Sequence, residues 1–289
     1  MNANAAVFLN GLALLLISGS LMAWGGILSK LWRREPPVPL VPRLPVPWTG
    51  GDMLLLAVSF LFFEILAGSL AHAIAEGTKE SFLPLALAIQ SASRVLWFVF
   101  AVVYLIGRGS YLDDLGWDST HVGKDFATGL WLFLAASVPV LLVQLYFTSY
   151  LDIESKHPLL ELTRQRAGLG IMVLATIAAV GIAPWFEEFV FRVLLQGWLE
   201  GEQVRLRLRR DPDASEAPGY VPLLIASLLF AGMHAAAGPD PVAIFVLSLF
   251  LGYVYRQTHR ILPSIVIHAG VNGWTMFNLW VQFLAGPVA

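Results

Sequence analysis

Long apolar runs alternate with short polar segments along the whole chain. The runs fall at about 5–29, 53–75, 83–107, 127–149, 168–186, 221–237, 241–256 and 261–285. A helix needs roughly 20 residues to cross a bilayer core of about 30 Å. The pattern therefore predicts an all-α, polytopic membrane protein of about eight transmembrane helices. The two runs near 221–256 are shorter and joined by GPDP (238–241). They are expected as a hairpin that does not fully cross, or as helices walled off from lipid by their neighbours. The first run, AAVFLNGLALLLISGSLMAWGGIL, meets no basic residue before Lys30 and is too long for a signal-peptide core, so it is expected to remain as a span.

Between the runs, RREPPVPLVPRLPVPW (33–48) is expected as an extended, proline-rich spacer. The segment EGEQVRLRLRRDPDASEAPG (200–219) is the one strongly charged loop and is expected to face solvent and lipid headgroups. No internal repeat and no inverted symmetry of the transporter kind is visible. The expected division is residues 1–166, N-terminal helices and linkers, and residues 167–289, a core carrying the chemistry.

Composition agrees with the pattern. Hydrophobic residues make up 57% of the chain and charged ones 13%, against about 25% charged in soluble domains. A net charge of −2 gives no sign of a nucleic-acid partner. The absence of cysteine excludes disulfides, thiolate metal sites and a cysteine nucleophile. Lys and Arg divide unevenly between alternate loops. Twelve fall on the side holding Arg33, Arg108, Arg205 and Arg260, and four, Lys79, Lys156, Arg164 and Arg166, on the other. The positive-inside rule puts the larger set in the cytoplasm and both termini outside.

The polar exceptions carry the chemistry. APWFEEFVFR (183–192) places Glu187, Glu188 and Arg192 at the end of an apolar run, where each ionised side chain costs about 2.5–3.5 kcal/mol at a helix centre. Residues four apart share a helix face, so Arg192 is expected to pair with Glu188 while Glu187 points about 100° away. His121, His157 and His259 fall in loops, and His72 near Glu76 reads as interfacial. His234 in SLLFAGMHAAAG and His268 in LPSIVIHAGVNGW remain. Phe230 lies one turn before His234, and Asn272 one turn after His268. Small residues crowd both sites, among them Gly232, Gly238, Gly270 and Gly273, and would let helices approach closely.

Such a set suits peptide hydrolysis. Glu187, beside another carboxylate and partly desolvated, is expected to serve as general base with a raised pKa. His234 would help to position the water, and His268 with Asn272 would donate to the tetrahedral oxyanion. A second wiring makes Glu187, His234 and His268 ligands of a divalent metal such as zinc that activates the water. Spacing does not decide between them, because the ligands come from different helices.

Three motifs, EEFVFR as EExxxR, FAGMH as FxxxH and HAGVN as HxxxN, in this order on successive apolar segments, resemble the CPBP/Abi family of intramembrane proteases. That family includes the Rce1-type CAAX prenyl endopeptidases. The resemblance implies an all-helical core with a membrane-embedded polar cavity open to the cytoplasm. It also implies that Glu187 and His234 activate water, that Glu188 and Arg192 orient the site, and that His268 and Asn272 form the oxyanion hole. The implied partners are a membrane-associated, in some members lipidated, protein substrate and the bilayer. The family holds both metal-dependent and glutamate-type members, so no cofactor is fixed. The motifs HExxH and GxSG are absent, and no Asp sits mid-span. A partner-binding scaffold of the same fold is the main alternative. A transporter lined by Glu64 and Arg94 is a weaker one; those two residues are expected as a buried ion pair between spans two and three.

Overall fold

A computed structural model describes residues 3–42, 46–78, 82–151, 168–235 and 240–285. Each apolar run becomes a helix: α1 (Ala3–Trp32), α2 (Gly50–Thr78), α3 (Phe82–Gly107), α4 (Val122–Leu145), α5 (Leu169–Arg210), α6 (Val221–Gly232), α7 (Asp240–Thr258) and α8 (Ile261–Ala285). The described residues hold no strand. The division at 166/167 and the first half of the 238–241 turn lie outside the described residues, as does His157.

Six of these helices, α1 to α5 and α7, are long and apolar enough to cross a membrane. The expected eight are thus eight apolar helices, of which two fall short as spans for different reasons. At 12 residues, α6 rises about 18 Å, well below the bilayer core. α8 has 25 residues, but His268, Asn272, Asn278 and Gln282 dilute its apolar surface. Of the pair expected to be short, only α6 is.

Outward-facing side chains on the first three helices are strongly apolar. Leu15, Met22, Leu54, Phe62, Ile65, Leu96 and Val103 are all exposed. A contiguous surface of this kind needs hydrocarbon around it.

Inside, two large apolar cores meet at α7 and α8. One joins α2, α3 and α5 through Leu56, Trp97, Leu105, Phe186, Phe189 and Val193, with Tyr255 and Ile265 on its far edge. The other joins α1, α4, α7 and α8 through Ile27, Leu132, Ala136, Leu251 and Ile267. Close approach of α4 and α8 depends on glycine. A Cβ on Gly129 would stand 2.7 Å from Val266 Cβ and 2.8 Å from the Pro263 carbonyl; one on Gly270 would stand 2.6 Å from the Phe133 ring. Gly232, expected to pack in the same way, has open space around it.

Polar ties fix the helix ends. Arg260 Nε donates to both Asp125 oxygens at 2.7 and 2.8 Å, which holds the start of α8 against α4. Tyr104 and Arg108 donate to Asp52 Oδ1 at 2.6 and 3.2 Å, joining α3 to α2. The proline-rich segment is more than a spacer. Val38, Val46 and Trp48 are buried, Val41 N–H reaches the Gln257 carbonyl and Trp48 Nε1 reaches that of Leu194.

Candidate active site

The helix carrying the paired glutamates is not a regular α-helix there. Two π-helical stretches, Ile177–Ile182 and Phe189–Gln196, flank the α-helical segment Ala183–Glu188. Pro184 supplies a reason for the first. It has no N–H to give a carbonyl one turn back, and its ring crowds that turn. A wider turn relieves both problems. π-Turns are rare and concentrate at functional sites.

Glu188 and Arg192 are fully buried and pair as expected, Arg192 Nε to Glu188 Oε2 at 3.0 Å. The guanidinium continues to Ser248 Oγ on α7 at 2.7 Å and lies over the Phe230 ring, 5.4 Å from its centre. The other carboxylate oxygen, Oε1, is 2.8 Å from His268 Nδ1. A carboxylate can only accept, so His268 carries a proton on Nδ1. The opposite nitrogen, Nε2, stands 3.8 Å from Glu187 Oε2. Glu187 does point away from Glu188, yet both reach the same imidazole from its two ends. Glu187 is the more open of the two, its side chain 17% exposed.

His234 sits just beyond the end of α6, with Nδ1 2.9 Å from the Phe230 carbonyl. That carbonyl accepts, so Nδ1 holds the hydrogen and Nε2 carries the lone pair. Phe230 packs edge-on to both imidazoles, its centre 5.1 Å from His234 and 5.8 Å from His268. The FxxxH phenylalanine thus bridges two helices as well as buttressing its own histidine. Asn272 donates through Nδ2 to the Ala179 carbonyl at 2.9 Å, in the first π-stretch. One amide hydrogen is left for another acceptor.

The six residues therefore converge from three helices, with different closeness. Glu188, Arg192 and His268 form one hydrogen-bonded unit, and Glu187 faces it. His234 and Glu187 make no hydrogen bond to each other, and Asn272 is tied to backbone. Among the described residues, no three His, Asp or Glu side chains are arranged to hold a metal ion, Glu187, His234 and His268 included. The residues present thus do not form a ready metal centre.

Several neighbours carry no motif signal. Ser248 and Gly252 on α7 belong to no quoted signature; Gln196 and Glu200 extend the four-residue repeat of Glu188 and Arg192 along α5, which the sequence does contain. His259, set aside as a loop histidine, is buried, with Nδ1 3.6 Å from Glu200 Oε2. Glu64 and Arg94 do meet, at 3.6 Å, but are partly exposed rather than buried. Arg94 also lies over Phe186, the neighbour of Glu187, 5.7 Å from the ring centre.

An all-helical membrane protein with ionised side chains gathered in its interior is the class this arrangement defines. More narrowly, residues 169–274 match the family model for type II CAAX prenyl endopeptidase Rce1-like proteins. The matched stretch runs from the start of α5 into α8 and contains all six residues. No curated protein and no solved structure matches the chain.

Proposed function

We propose that the protein is an intramembrane endopeptidase that hydrolyses a peptide bond of a membrane-associated protein, with its catalytic core in residues 167–289. One observation carries the reading: a single imidazole, His268, is held at Nδ1 by buried Glu188 and faced at Nε2 by the more open Glu187.

In the proposed reaction the Glu187 carboxylate accepts one hydrogen of a water molecule and His234 Nε2 accepts the other. A water lone pair is thereby aimed at the substrate carbonyl. As the C–O bond forms, the proton moves to Glu187. The oxyanion receives hydrogen bonds from His268, protonated on both nitrogens, and from the remaining Asn272 amide hydrogen. Each such donor is worth about 10²–10³ in kcat. Glu187 then returns its proton to the leaving nitrogen, the C–N bond breaks, and a carboxylic acid and an amine leave. Glu188 and Arg192 touch no reacting atom in this scheme and orient His268.

The basic end of α5, where Arg205, Arg209 and Arg210 are exposed, supports a cytoplasmic location for that end by the positive-inside rule. The proposed cavity opens on the same side.

The test compares protein termini in membranes from cells expressing wild type or Glu187→Gln at matched levels. New termini that vanish in the variant are expected, and they would name the substrate. Identical termini would replace the hydrolytic reading with a partner-binding scaffold.

A further inference from the structure

Four polar residues recur at intervals of four along α5: Glu188, Arg192, Gln196 and Glu200. All are buried, none more than 4% exposed. α7 lies beside them in the same direction, because Arg192 contacts Ser248 and Gln196 contacts Gly252 with one sequence offset, 56 residues. Gln196 Nε2 donates to both Glu200 Oε1 and the Gly252 carbonyl, each at 2.9 Å. Its oxygen has no hydrogen-bond partner among the described residues, and neither has Arg192 Nη1. These two atoms lie 3.0 and 3.4 Å from the point a Cβ on Gly252 would occupy. A buried acceptor and a buried donor thus flank the one place where α7 has no side chain.

We propose that Ser248, Gln196 and Gly252 are positioning residues for the hydrolytic site, fixing the plane of the Arg192 guanidinium and, through Glu188, the orientation of His268. A fully buried guanidinium has five N–H donors and no water to satisfy them. Nε is committed to Glu188, so the remaining contacts decide how the fork tilts. Ser248 holds Nη2, and Gln196 turns its oxygen towards the Nη1 side. Gly252 keeps that side open; a methyl there would stand 3.0 Å from the Gln196 oxygen and 3.4 Å from Arg192 Nη1 and press on Leu223, 2.9 Å away. The third helix contact of Arg192 is therefore α7, a helix that carries none of the three signatures.

This inference rests on the hydrolytic reading, and its test separates the two. Ser248→Val and Ser248→Thr have the same shape and differ by the hydroxyl. On a substrate named by the terminus comparison, Ser248→Val is expected to lower kcat at least tenfold with KM within about twofold. Ser248→Thr should return kcat to within about threefold of wild type. In ¹⁵N-histidine-labelled protein in nanodiscs, the Nδ1–H resonance of His268, assigned by its loss in His268→Asn, should shift in Ser248→Val and not in Ser248→Thr. Gln196→Met, which keeps the length and loses the amide, should behave as Ser248→Val does, and it carries the test if the bulkier Ser248 variants do not fold. Equal kcat and an unmoved resonance in the hydroxyl-less variants would overturn the inference while wild-type cleavage stood. Absence of cleavage by wild type would overturn the hydrolytic reading, and the resonance would still answer the positioning question.

Discussion

Glu188 Oε1 lies 2.8 Å from His268 Nδ1 across 80 residues of sequence, with Glu188 completely buried. This contact locks α5 to α8 and sets which imidazole nitrogen faces Glu187. In the proposed reaction it makes Glu188 an orienting group and leaves Glu187 the reactive one.

Glu187→Gln should therefore reduce cleavage at least about 10²-fold, the lower range for losing a general base. The thermal midpoint in detergent should change little, since Glu187 contributes no hydrogen bond among the described residues. Kinetics and a melting curve on the same preparation check both halves; undiminished cleavage would remove Glu187 from the mechanism.

Arg192→Ala should behave differently. It leaves Glu188 buried beside one fewer cation, a change worth about 3–5 kcal/mol, so both folding and cleavage should suffer. The double variant Glu188→Leu/Arg192→Met should be more stable than Arg192→Ala and remain inactive. Chemical or thermal unfolding of the three proteins side by side reads the order.

Gly129→Ala should destabilise by about 1–3 kcal/mol, the usual range for overpacking. The added carbon meets the Pro263 backbone carbonyl, which has no rotamer to swing away. Gly170→Ala, where nothing lies within 4 Å, is the control and should melt as wild type does.

Cleavage should persist after treatment with a chelator. The two nitrogens of His268 already face carboxylates, and no three ligating side chains converge among the described residues. Loss of activity on chelation, restored by zinc, would favour the metal wiring.

A pH effect is expected in the loop before α4. The Thr120 hydroxyl and N–H, together with His121, hold the Asp118 carboxyl at about 2, below its ordinary value. A lowered carboxyl stabilises the folded loop above its unfolded pKa near 4 and loses that contribution as pH falls towards 2. Hydrogen exchange at the Thr120 amide should quicken over that window in wild type. In Asp118→Asn it should be fast throughout.

The sequence by itself determined the helical, membrane-bound class, because burying apolar side chains in hydrocarbon depends on composition and run length alone. It determined the Glu188–Arg192 pair too, since a spacing of four is a local property of a helix. The three signatures named all six candidate site residues for a related reason: each motif spans about one helical turn of a single local segment. What depends on distance in space was decided only by the tertiary structure. Glu187 and Glu188 were legible as pointing apart, and only the packing of α8 on α5 brought them to opposite ends of His268. Ser248, Gly252 and buried His259 gave no sequence signal, because a serine or glycine in a helix, or a histidine after one, acquires its role from the helix laid against it. The docking of Val38 and Trp48 likewise reflects neighbours that no local pattern records.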